Sequence, residues 1–420
     1  MTDTTTTAGV TRAAAGSGAA DVVVGVVSFH SVRTVRHVVE TAAAAVTSFY
    51  PGAAAVIVLA DAGSRDGTVA AARAAAAAGV PVVVSDPGAW SPAGAGPAVP
   101  GRGDGLRAVL EAAGAADAAG CAVVDASVAA ITPEWVRRLL EPVLRQGTDL
   151  VAPLYARHTY DGMLTSFLVY PLTRALYGRR LRQPVGGHFG FSGALVRRLL
   201  DAGGWGGAAG RYRRDLWLTT RALADGVRVA QACLGSGRRG PRDASGELGS
   251  AFVDVVGTAF GLMEDYRPAW RAVVETAEVP CIGDPSPVGT EPVSVNVDRM
   301  LSTFRQGVAD LMPLWRRMLA AEACAALEAL AGAAPADFHF PPPLWAQIVF
   351  DAAAAHHARV LPRAQLLRAL IPLYLGRAAA FVVGTAASDP REAEAQVEAG
   401  CAAFEAAKPY LLERWDARRA

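Results

Sequence analysis

One acidic residue closes a short apolar run at positions 121–125, and a serine stands two positions beyond it. The run, CAVVD, predicts a buried strand with Asp125 at its carboxyl end. In open α/β sheets, ligands bind in the crevice outside such strand ends. Two carboxylates one residue apart could hold a divalent cation there, but the second position is Ser127. The segment predicts either a cation site built on Asp125 and Ser127 or an ordinary turn capped by Asp125.

A second acidic turn, DAGSRDGT, begins at Asp61 and also follows an apolar run. The Asp61 carboxylate could accept hydrogen bonds from the imide edge of a uracil or the amino edge of a guanine. Asp66 or Ser64 can cap the helix that follows. The alternative interpretation is a capped strand-to-helix turn with no ligand.

Two glycine-rich segments carry arginines. Arg102 lies in PGRGDGL just before a predicted helix, where backbone amides favour anions. Arg238 and Arg239 lie in GSGRRG after a predicted strand. Both segments suit a phosphate group, and the alternative for the first is a flexible surface loop.

Three further segments contain residues that could bind ligands. Arg157 and Thr165 frame a segment after another strand, where a guanidinium and a hydroxyl suit a small carboxylated molecule. The paired glycines Gly186 and Gly187 allow close backbone approach to a ligand. His188 follows them and could act in acid–base or metal chemistry, although a lone histidine is more often structural.

Asp215 begins an apolar helical pattern. The helix dipole favours a carboxylate at that position with no function required.

The apolar patterns predict strands alternating with helices, which implies an α/β fold with a parallel sheet and right-handed crossovers. Predicted strands cover residues 21–28, 54–59, 80–84, 121–124, 150–154 and 227–233. Predicted helices cover 33–48, 66–78, 106–113, 133–145, 167–177, 300–331, 343–360, 363–376 and 391–415. Residues 87–105 and 182–193 are expected to be loops.

Length and composition limit the class of protein. A chain of 420 residues predicts two domains, here a tail at 1–20, an α/β domain at 21–290 and a helical domain at 291–420. A formal net charge of +1 gives no whole-protein field that would attract nucleic acid or an acidic membrane. The sequence predicts no transmembrane helix and leaves a homo-oligomer open.

The five cysteines lie far apart in the sequence and form no CxxC motif. Disulfides and a zinc site are therefore not expected, and a cytoplasmic location fits.

Six of these segments, in order across about residues 21–250, together resemble GT-A glycosyltransferases of the mannosylglycerate synthase type, which are relatives of glucosyl-phosphoglycerate synthases. The matching segments are 61–68, 102–105, 125–127 with 133–135, 157–165, 183–187 and Asp215. Helical tails occur in the same group, and residues 372–377 resemble one of their tail segments.

The resemblance implies a GT-A (Rossmann-like nucleotide-diphospho-sugar transferase) domain with a helical carboxyl-terminal region. It implies a retaining transfer of a hexose from a GDP- or UDP-sugar to a small hydroxy acid such as glycerate. The donor sugar nucleotide would be bound by Ser28, Asp61, Arg102, Asp125, Arg238 and Arg239. Arg157 and Thr165 would hold the acceptor carboxylate, Gly186 and Gly187 would close over the sugar, and Asp215 would lie near the reacting centre.

The chain departs from this family at its metal ligands. The family has an aspartate at Ser127, an acidic residue at His188 and a histidine where this chain has Arg238 and Arg239. A divalent cation, Mg²⁺ or Mn²⁺, is therefore in doubt as a cofactor. One hypothesis is that Arg238 or Arg239 partly replaces it, and another is that His188 supplies a ligand.

The departures keep more than one function open. The first hypothesis is an active glycosyltransferase, and the second is a non-catalytic relative that binds nucleotide sugars or a partner. A third, an enzyme acting on a lipid phosphate at a membrane, is disfavoured because no basic amphipathic stretch is present.

Overall fold

The computed structural model describes residues 20–75, 80–85, 102–202, 213–236, 244–284 and 293–417, without the side chains of 102–104, 244–248 and 336. The chain divides into two compact units. The first consists of residues 1–156, 186–242 and 279–288, and the second of 157–185, 243–278 and 289–420. The sequence placed the start of a helical domain at residue 291, and the last segment of the second unit begins at residue 289. Residues 157–185 and 243–278, which the sequence assigned to the α/β domain, also belong to the second unit.

The first unit is built on an eight-stranded sheet in the order β3-β2-β1-β4-β6-β5-β7-β8. The strands are β1 Val22–Ser28, β2 Ala55–Asp61, β3 Val82–Ser85, β4 Gly120–Asp125, β5 Leu150–Ala156, β6 Phe189–Ser192, β7 Val229–Ser236 and β8 Cys281–Ile282. β1 and β4 are buried along their whole length. Their near-continuous apolar sequences are typical of parallel strands that are covered on both faces.

The sheet contains the expected parallel strand pairs, but it is mixed because one strand runs the other way. β6 runs antiparallel to both of its neighbours, β4 and β5. It lies within residues 182–193, which the sequence predicted to be a loop. Gly190 lets this strand lie against α4, the helix Pro133–Arg145, because a Cβ there would lie 2.0 Å from the Leu139 carbonyl oxygen.

Helices cover the sheet of the first unit. With helices numbered in chain order through both units, these are α1 Val35–Phe49, α2 Thr68–Ala74, α3 Arg102–Ala115, α4, α6 Gly193–Asp201 and α7 Arg214–Ala224. α3 lies very close to the sheet, because a Cβ on Gly25 of β1 would lie 2.2 Å from Val109. α3 begins at Arg102, four residues before the predicted start, so the supposed loop residues 102–105 form its first turn.

The described part of the second unit is helical, apart from an isolated bridge between Arg179 and Ala277. Its helices are α5 Tyr170–Tyr177, α8 Ala244–Asp265, α9 Arg267–Ala272, α10 Val297–Met318, α11 Ala321–Ala331, α12 Pro342–His357, α13 Arg363–Ala369, α14 Ile371–Gly384, α15 Pro390–Ala406 and α16 Lys408–Ala417. A π-helical turn, Thr165–Val169, leads into α5. Four tryptophans are fully buried in this unit, namely Trp270, Trp315, Trp345 and Trp415.

One described stretch of the second unit, Arg363–Gly384, is long and apolar enough to cross a membrane by length and composition alone. Of its most apolar 18-residue window, 72% is buried inside the protein.

Candidate functional site

Three polar residues lie at the carboxyl ends of neighbouring parallel strands in the first unit. Ser28 ends β1 and is in register with Asp61, which ends β2. Asp125 ends β4 and is in register with Val27. Only 2%, 5% and 4% of the surfaces of Ser28, Asp61 and Asp125 are exposed. The sheet thus brings these three predicted site residues together at the carboxyl ends of its strands, which we call the carboxyl edge of the sheet.

The Asp61 carboxylate accepts four hydrogen bonds from the chain itself. The Ser28 and Ser64 hydroxyls donate to its Oδ1 at 2.7 and 2.6 Å. The backbone N–H groups of Gly63 and Ser64 donate to its Oδ2 at 3.1 and 2.7 Å. A carboxylate offers about four acceptor positions, so these bonds use its capacity. A nucleobase edge would have to replace one of these donors. The Ser64 hydroxyl is a side-chain donor that can rotate, although its oxygen also accepts a hydrogen bond from the His30 backbone N–H at 2.8 Å.

The cap of α2 also differs from the sequence expectation for Ser64. Gly67, with φ of 92°, is the residue before the helix. Asp66 Oδ1 accepts from the backbone N–H of Thr68 at 3.1 Å and from its hydroxyl at 2.5 Å. Although desolvation raises the pKa of the Asp66 carboxyl, these hydrogen bonds outweigh it and leave the pKa below its usual value. Ser64 instead serves Asp61, and sequence reasoning did not assign it that role.

Asp125 and Ser127 contact each other. The backbone N–H and the hydroxyl of Ser127 both donate to Asp125 Oδ1, at 2.8 and 2.6 Å. The pair therefore forms a tight turn, as one of the two sequence interpretations expected. Ser127 thus supplies two hydrogen-bond donors to the buried carboxylate of Asp125.

The segment before β6 leads toward the Asp125 end of the sheet. Phe189 is opposite Val123 in the antiparallel pair, so residues 186–188 continue toward the carboxyl end of β4. His188 is 1% exposed, its Nδ1 shares a hydrogen bond with the Tyr155 hydroxyl, and its ring packs edge-on against Trp135. Sequence reasoning missed Tyr155 and Trp135, which the fold brings to His188 from β5 and α4.

Gly186 is required by packing. A Cβ at this position would lie 2.5 Å from Cγ of Pro153 on β5. The close backbone approach expected at the paired glycines is therefore an approach to Pro153. Gly187 lies next to it in the same described segment.

The first turn of α3 packs on the same strand ends. A Cβ on Gly105 would lie 2.7 Å from Val27 and 3.4 Å from the Ala60 carbonyl oxygen, one residue before Ser28 and Asp61 respectively. The amides at the start of this helix favour an anion. Arg102 is the first residue of the helix, and its side chain is outside the described residues, as are Arg238 and Arg239.

Asp215 lies in the first turn of α7 and is paired. Arg213 contacts both of its carboxylate oxygens, Nε at 3.2 Å and Nη2 at 3.0 Å. Its Oδ1 also accepts from the backbone N–H of Leu216 at 2.9 Å. The structure thus shows the helix-start carboxylate that the sequence allowed, with a bidentate arginine partner.

Arg157 and Thr165 belong to the second unit. Arg157 folds back over its own segment, because a Cβ on Gly162 would lie 2.5 Å from the Arg157 Nη1. Gly162 has φ of 70°, which closes this turn. Thr165 begins the π-helical turn, a feature often found at functional sites.

A divalent cation fits this site only as part of a nucleotide complex. In the part of the chain that the structure describes, no three His, Cys, Asp or Glu side chains form a metal-binding group. Of the three predicted ligands, Asp125 and Ser127 hydrogen-bond to each other, and His188 bonds to Tyr155. One carboxylate can hold Mg²⁺ when phosphate oxygens and water supply the remaining ligands.

The chain is similar to solved structures of glucosyl-3-phosphoglycerate synthase from Mycobacterium tuberculosis. One, with Mn²⁺, UDP and glucosyl-3-phosphoglycerate, is 22% identical, with 62% of this chain and 85% of that chain covered at a TM-score of 0.44. Another, with Mn²⁺, UDP-glucose and phosphoglyceric acid, is 23% identical, with 60% and 83% covered at a TM-score of 0.45. No family model and no curated protein matches the chain.

Replacing Ser64 and Asp61 separately tests whether Asp61 serves the turn or a ligand. Ser64→Ala should lower the free energy of unfolding by about 1 kcal/mol and leave nucleoside diphosphate affinity equal or higher, because one acceptor position becomes free. Asp61→Ala should cost about 1–3 kcal/mol, because buried donors lose their partner, and should abolish binding that depends on the base. Urea denaturation and titration calorimetry with UDP and GDP measure both effects.

The exposed Ser48 supplies a matched control through Ser48→Ala, which should change neither quantity. Unchanged UDP and GDP affinity in Asp61→Ala would show that Asp61 has only a structural role.

Proposed function

We propose that this protein is a glycosyltransferase that moves a hexose from a UDP- or GDP-sugar to a small hydroxy acid, with retention of the anomeric configuration. The observation that carries the proposal is the edge of the sheet where Ser28, Asp61 and Asp125 end three neighbouring parallel strands. The amino-terminal turn of α3 packs on the same strand ends. This arrangement offers polar groups for a base and backbone amides for a diphosphate.

The donor half of the proposal assigns a role to each part of this edge. Asp61 and Ser64 face the nucleobase, with the Ser64 hydroxyl giving way to the base edge. The start of α3 and Arg102 take the diphosphate, where amides and a guanidinium match its charge. The leaving diphosphate gains negative charge as the glycosidic bond breaks, so fixed positive groups there lower the barrier.

The acceptor half of the proposal concerns Arg157, Thr165 and Asp215. Arg157 and Thr165 hold the acceptor carboxylate through a guanidinium and a hydroxyl. The compact turn at Gly162 sets the position of the guanidinium before any ligand arrives. Asp215 stays paired with Arg213 and contributes charge near the reacting sugar.

A divalent cation, when bound, would neutralise the diphosphate leaving group. We assign this ligand role to Asp125, whose Oδ1 accepts hydrogen bonds from the N–H and the hydroxyl of Ser127. We propose that Arg238 and Arg239 carry part of the same charge compensation.

Two observations favour a second candidate, a catalytically impaired protein that binds nucleotide sugars. Ser127 occupies the position of the second acid, and the Asp61 carboxylate is already satisfied by four internal donors. Such a protein would keep donor binding without transfer. Turnover measurements separate the two candidates.

Turnover is tested with UDP- and GDP-hexoses against glycerate and 3-phosphoglycerate, with the product identified by mass spectrometry. Asp125→Ala should lower kcat/KM measured with Mg²⁺ to the level of the wild type in EDTA, because this carboxylate acts on the diphosphate only through the cation that it would hold. Asp117→Ala is the matched control, because that exposed carboxylate belongs to the same unit and pairs with the exposed Arg197. NMR of the product reports whether the anomeric configuration is retained. Donor binding without any product would establish the second candidate instead.

Metal dependence is tested by comparing the wild type with Ser127→Asp. The wild type should keep much of its activity and of its UDP affinity in EDTA, whereas Ser127→Asp should become strongly dependent on Mg²⁺ or Mn²⁺, because the second carboxylate adds a ligand and a like charge. Titration calorimetry measures the affinity for UDP with and without metal, and this measurement does not depend on turnover. Strict metal dependence of the wild type would contradict the role given to Arg238 and Arg239.

A further inference from the structure

The second unit contains a buried arginine whose charge is not balanced. Arg377 on α14 is 5% exposed, and its guanidinium lies 5.1 Å from the ring centroid of Phe167. Among the residues that the structure describes, no carboxylate or hydrogen-bond acceptor contacts this guanidinium. The buried Arg174 of the same unit, in contrast, is paired with Glu398 and Glu405. Within the described residues, Arg377 therefore differs from Arg174 in having no anionic partner.

Burial of an uncompensated cation is costly. Removing a charge from water without a partner costs several kcal/mol, and a contact with an aromatic face returns only up to about 2 kcal/mol. Desolvation lowers the pKa of Arg377 to about 10. A side chain that pays this cost in the free protein is a candidate for binding an anion.

The face of α14 that carries Arg377 packs on the segment that contains Arg157 and Thr165. Arg377, Phe381 and Thr385 are four residues apart and so share one side of the helix. The centroid of the Phe381 ring lies 4.7 Å from that of the Phe167 ring and 6.2 Å from that of the Tyr160 ring. The Thr385 hydroxyl donates to the Tyr160 hydroxyl at 3.4 Å.

The backbone of the same segment is held in place from α12. The Trp345 Nε1 donates to the Phe167 carbonyl oxygen at 2.6 Å. Phe167 belongs to the π-helical turn that begins at Thr165. The guanidinium of Arg377 is thus fixed beside a turn whose position is set by packing and a hydrogen bond.

We propose that Arg377 binds the phosphate group of a phosphorylated hydroxy-acid acceptor. This inference rests on the proposed function, in which Arg157 and Thr165 take the carboxylate of the same molecule. A guanidinium presents paired N–H donors that match a phosphate, and the low-dielectric surroundings strengthen that contact. Arg377 thereby selects acceptors with two anionic groups over acceptors with one.

Arg377→Met tests the proposal, because methionine keeps the apolar volume and removes the charge. Without ligand, the thermal midpoint should stay equal or rise, since an unpaired buried cation is lost. The stabilisation by inorganic phosphate and by 3-phosphoglycerate should disappear. In turnover, KM for 3-phosphoglycerate should rise at least about tenfold, the value of one charge-assisted contact, while KM for glycerate changes little. Arg377→Lys should restore part of the phosphate effect.

The exposed Arg368 on α13 supplies the control, and Arg368→Met should leave both the melting and the KM values unchanged. A lower midpoint in Arg377→Met with unchanged phosphate stabilisation would make Arg377 structural and overturn the proposal. Equal KM values for wild type and variant would overturn it while leaving the glycosyltransferase assignment intact. A wild type that phosphate stabilises through Arg377 but that transfers no sugar would instead contradict the proposed function.

A second inference rests on two cysteines that the sequence separates by 48 positions. Cys233 on β7 and Cys281 on β8 have their Sγ atoms 2.7 Å apart. Their strands are parallel neighbours, with Cys281 in register with Gln231. Cys233 is buried and Cys281 is exposed, so small reagents reach one member of the pair.

A positive charge lies beside this pair. Nη1 of Arg138 on α4 donates to the Cys233 carbonyl oxygen, and its guanidinium lies against Gly283, two residues after Cys281. The hydrogen bond from Cys233 lowers the pKa of the Cys281 thiol to about 7, with Arg138 adding to the effect against desolvation. A thiol with this environment is partly ionised near neutral pH and is reactive.

We infer that Cys233 and Cys281 form a reversible disulfide that joins β8 to β7. With oxidised glutathione as the oxidant, the Cys281 thiolate attacks one glutathione sulfur, breaks the glutathione disulfide and releases one reduced glutathione. Cys233, after losing its proton, attacks the Cys281 sulfur of the mixed disulfide and releases the second. The protein loses two protons and two electrons, which the two reduced glutathione molecules carry away.

Intact-mass measurement after treatment with oxidised glutathione should show the loss of two hydrogen atoms, reversed by dithiothreitol. Cys233→Ser should stop at the mixed disulfide with glutathione, and Cys281→Ser should remain unmodified at this pair. Cys324→Ser is the matched control and should behave as the wild type. Cys324 is buried and belongs to the second unit, whereas Cys233 and Cys281 belong to the first. A glutathione adduct on wild-type Cys281 that never resolves, or no change at all, would overturn the inference.

Discussion

The structure of the first unit depends on the need to satisfy carboxylates that are buried at strand ends. Asp61 and Asp125 end apolar strands and are almost fully covered. A buried carboxylate without hydrogen-bond donors would be strongly destabilising, so the chain supplies donors next to it. Asp61 is served by Ser28 from the neighbouring strand and by the turn at Ser64. These bonds tie β1, β2 and the entry to α2 into one fixed edge.

The same constraint shows which parts of the site could be predicted. Asp61, Asp125 and the strands before them follow from apolar runs that end in an acid, because a parallel strand buried on both faces has a distinctive sequence. The hydroxyl of Ser127 on Asp125 follows from their spacing of two residues. In contrast, the saturation of Asp61 by Ser28 needs the register between two strands, which a single sequence does not contain.

Other features escaped prediction for identifiable reasons. β6 has four residues, two of them small, and lies in a glycine-rich stretch. Its run of alternating apolar and small residues is too short to be recognised as a strand from the sequence. The start of α3 at Arg102 was assigned to a loop, because Gly101, Gly103 and Gly105 disfavour a helix by intrinsic propensity. Close packing of Gly105 on Val27 explains why the glycine is kept there. The Cys233–Cys281 contact depends on pairing of strands that are distant in sequence.

A serine at position 127, two residues after Asp125, sets the electrostatics at the end of β4. An aspartate at that position would place a second negative charge beside Asp125 and would make a cation necessary to offset the repulsion. Ser127 instead donates two hydrogen bonds to the single carboxylate of Asp125. Because the end of β4 then carries one negative charge instead of two, less positive charge is needed to offset it when an anionic group approaches.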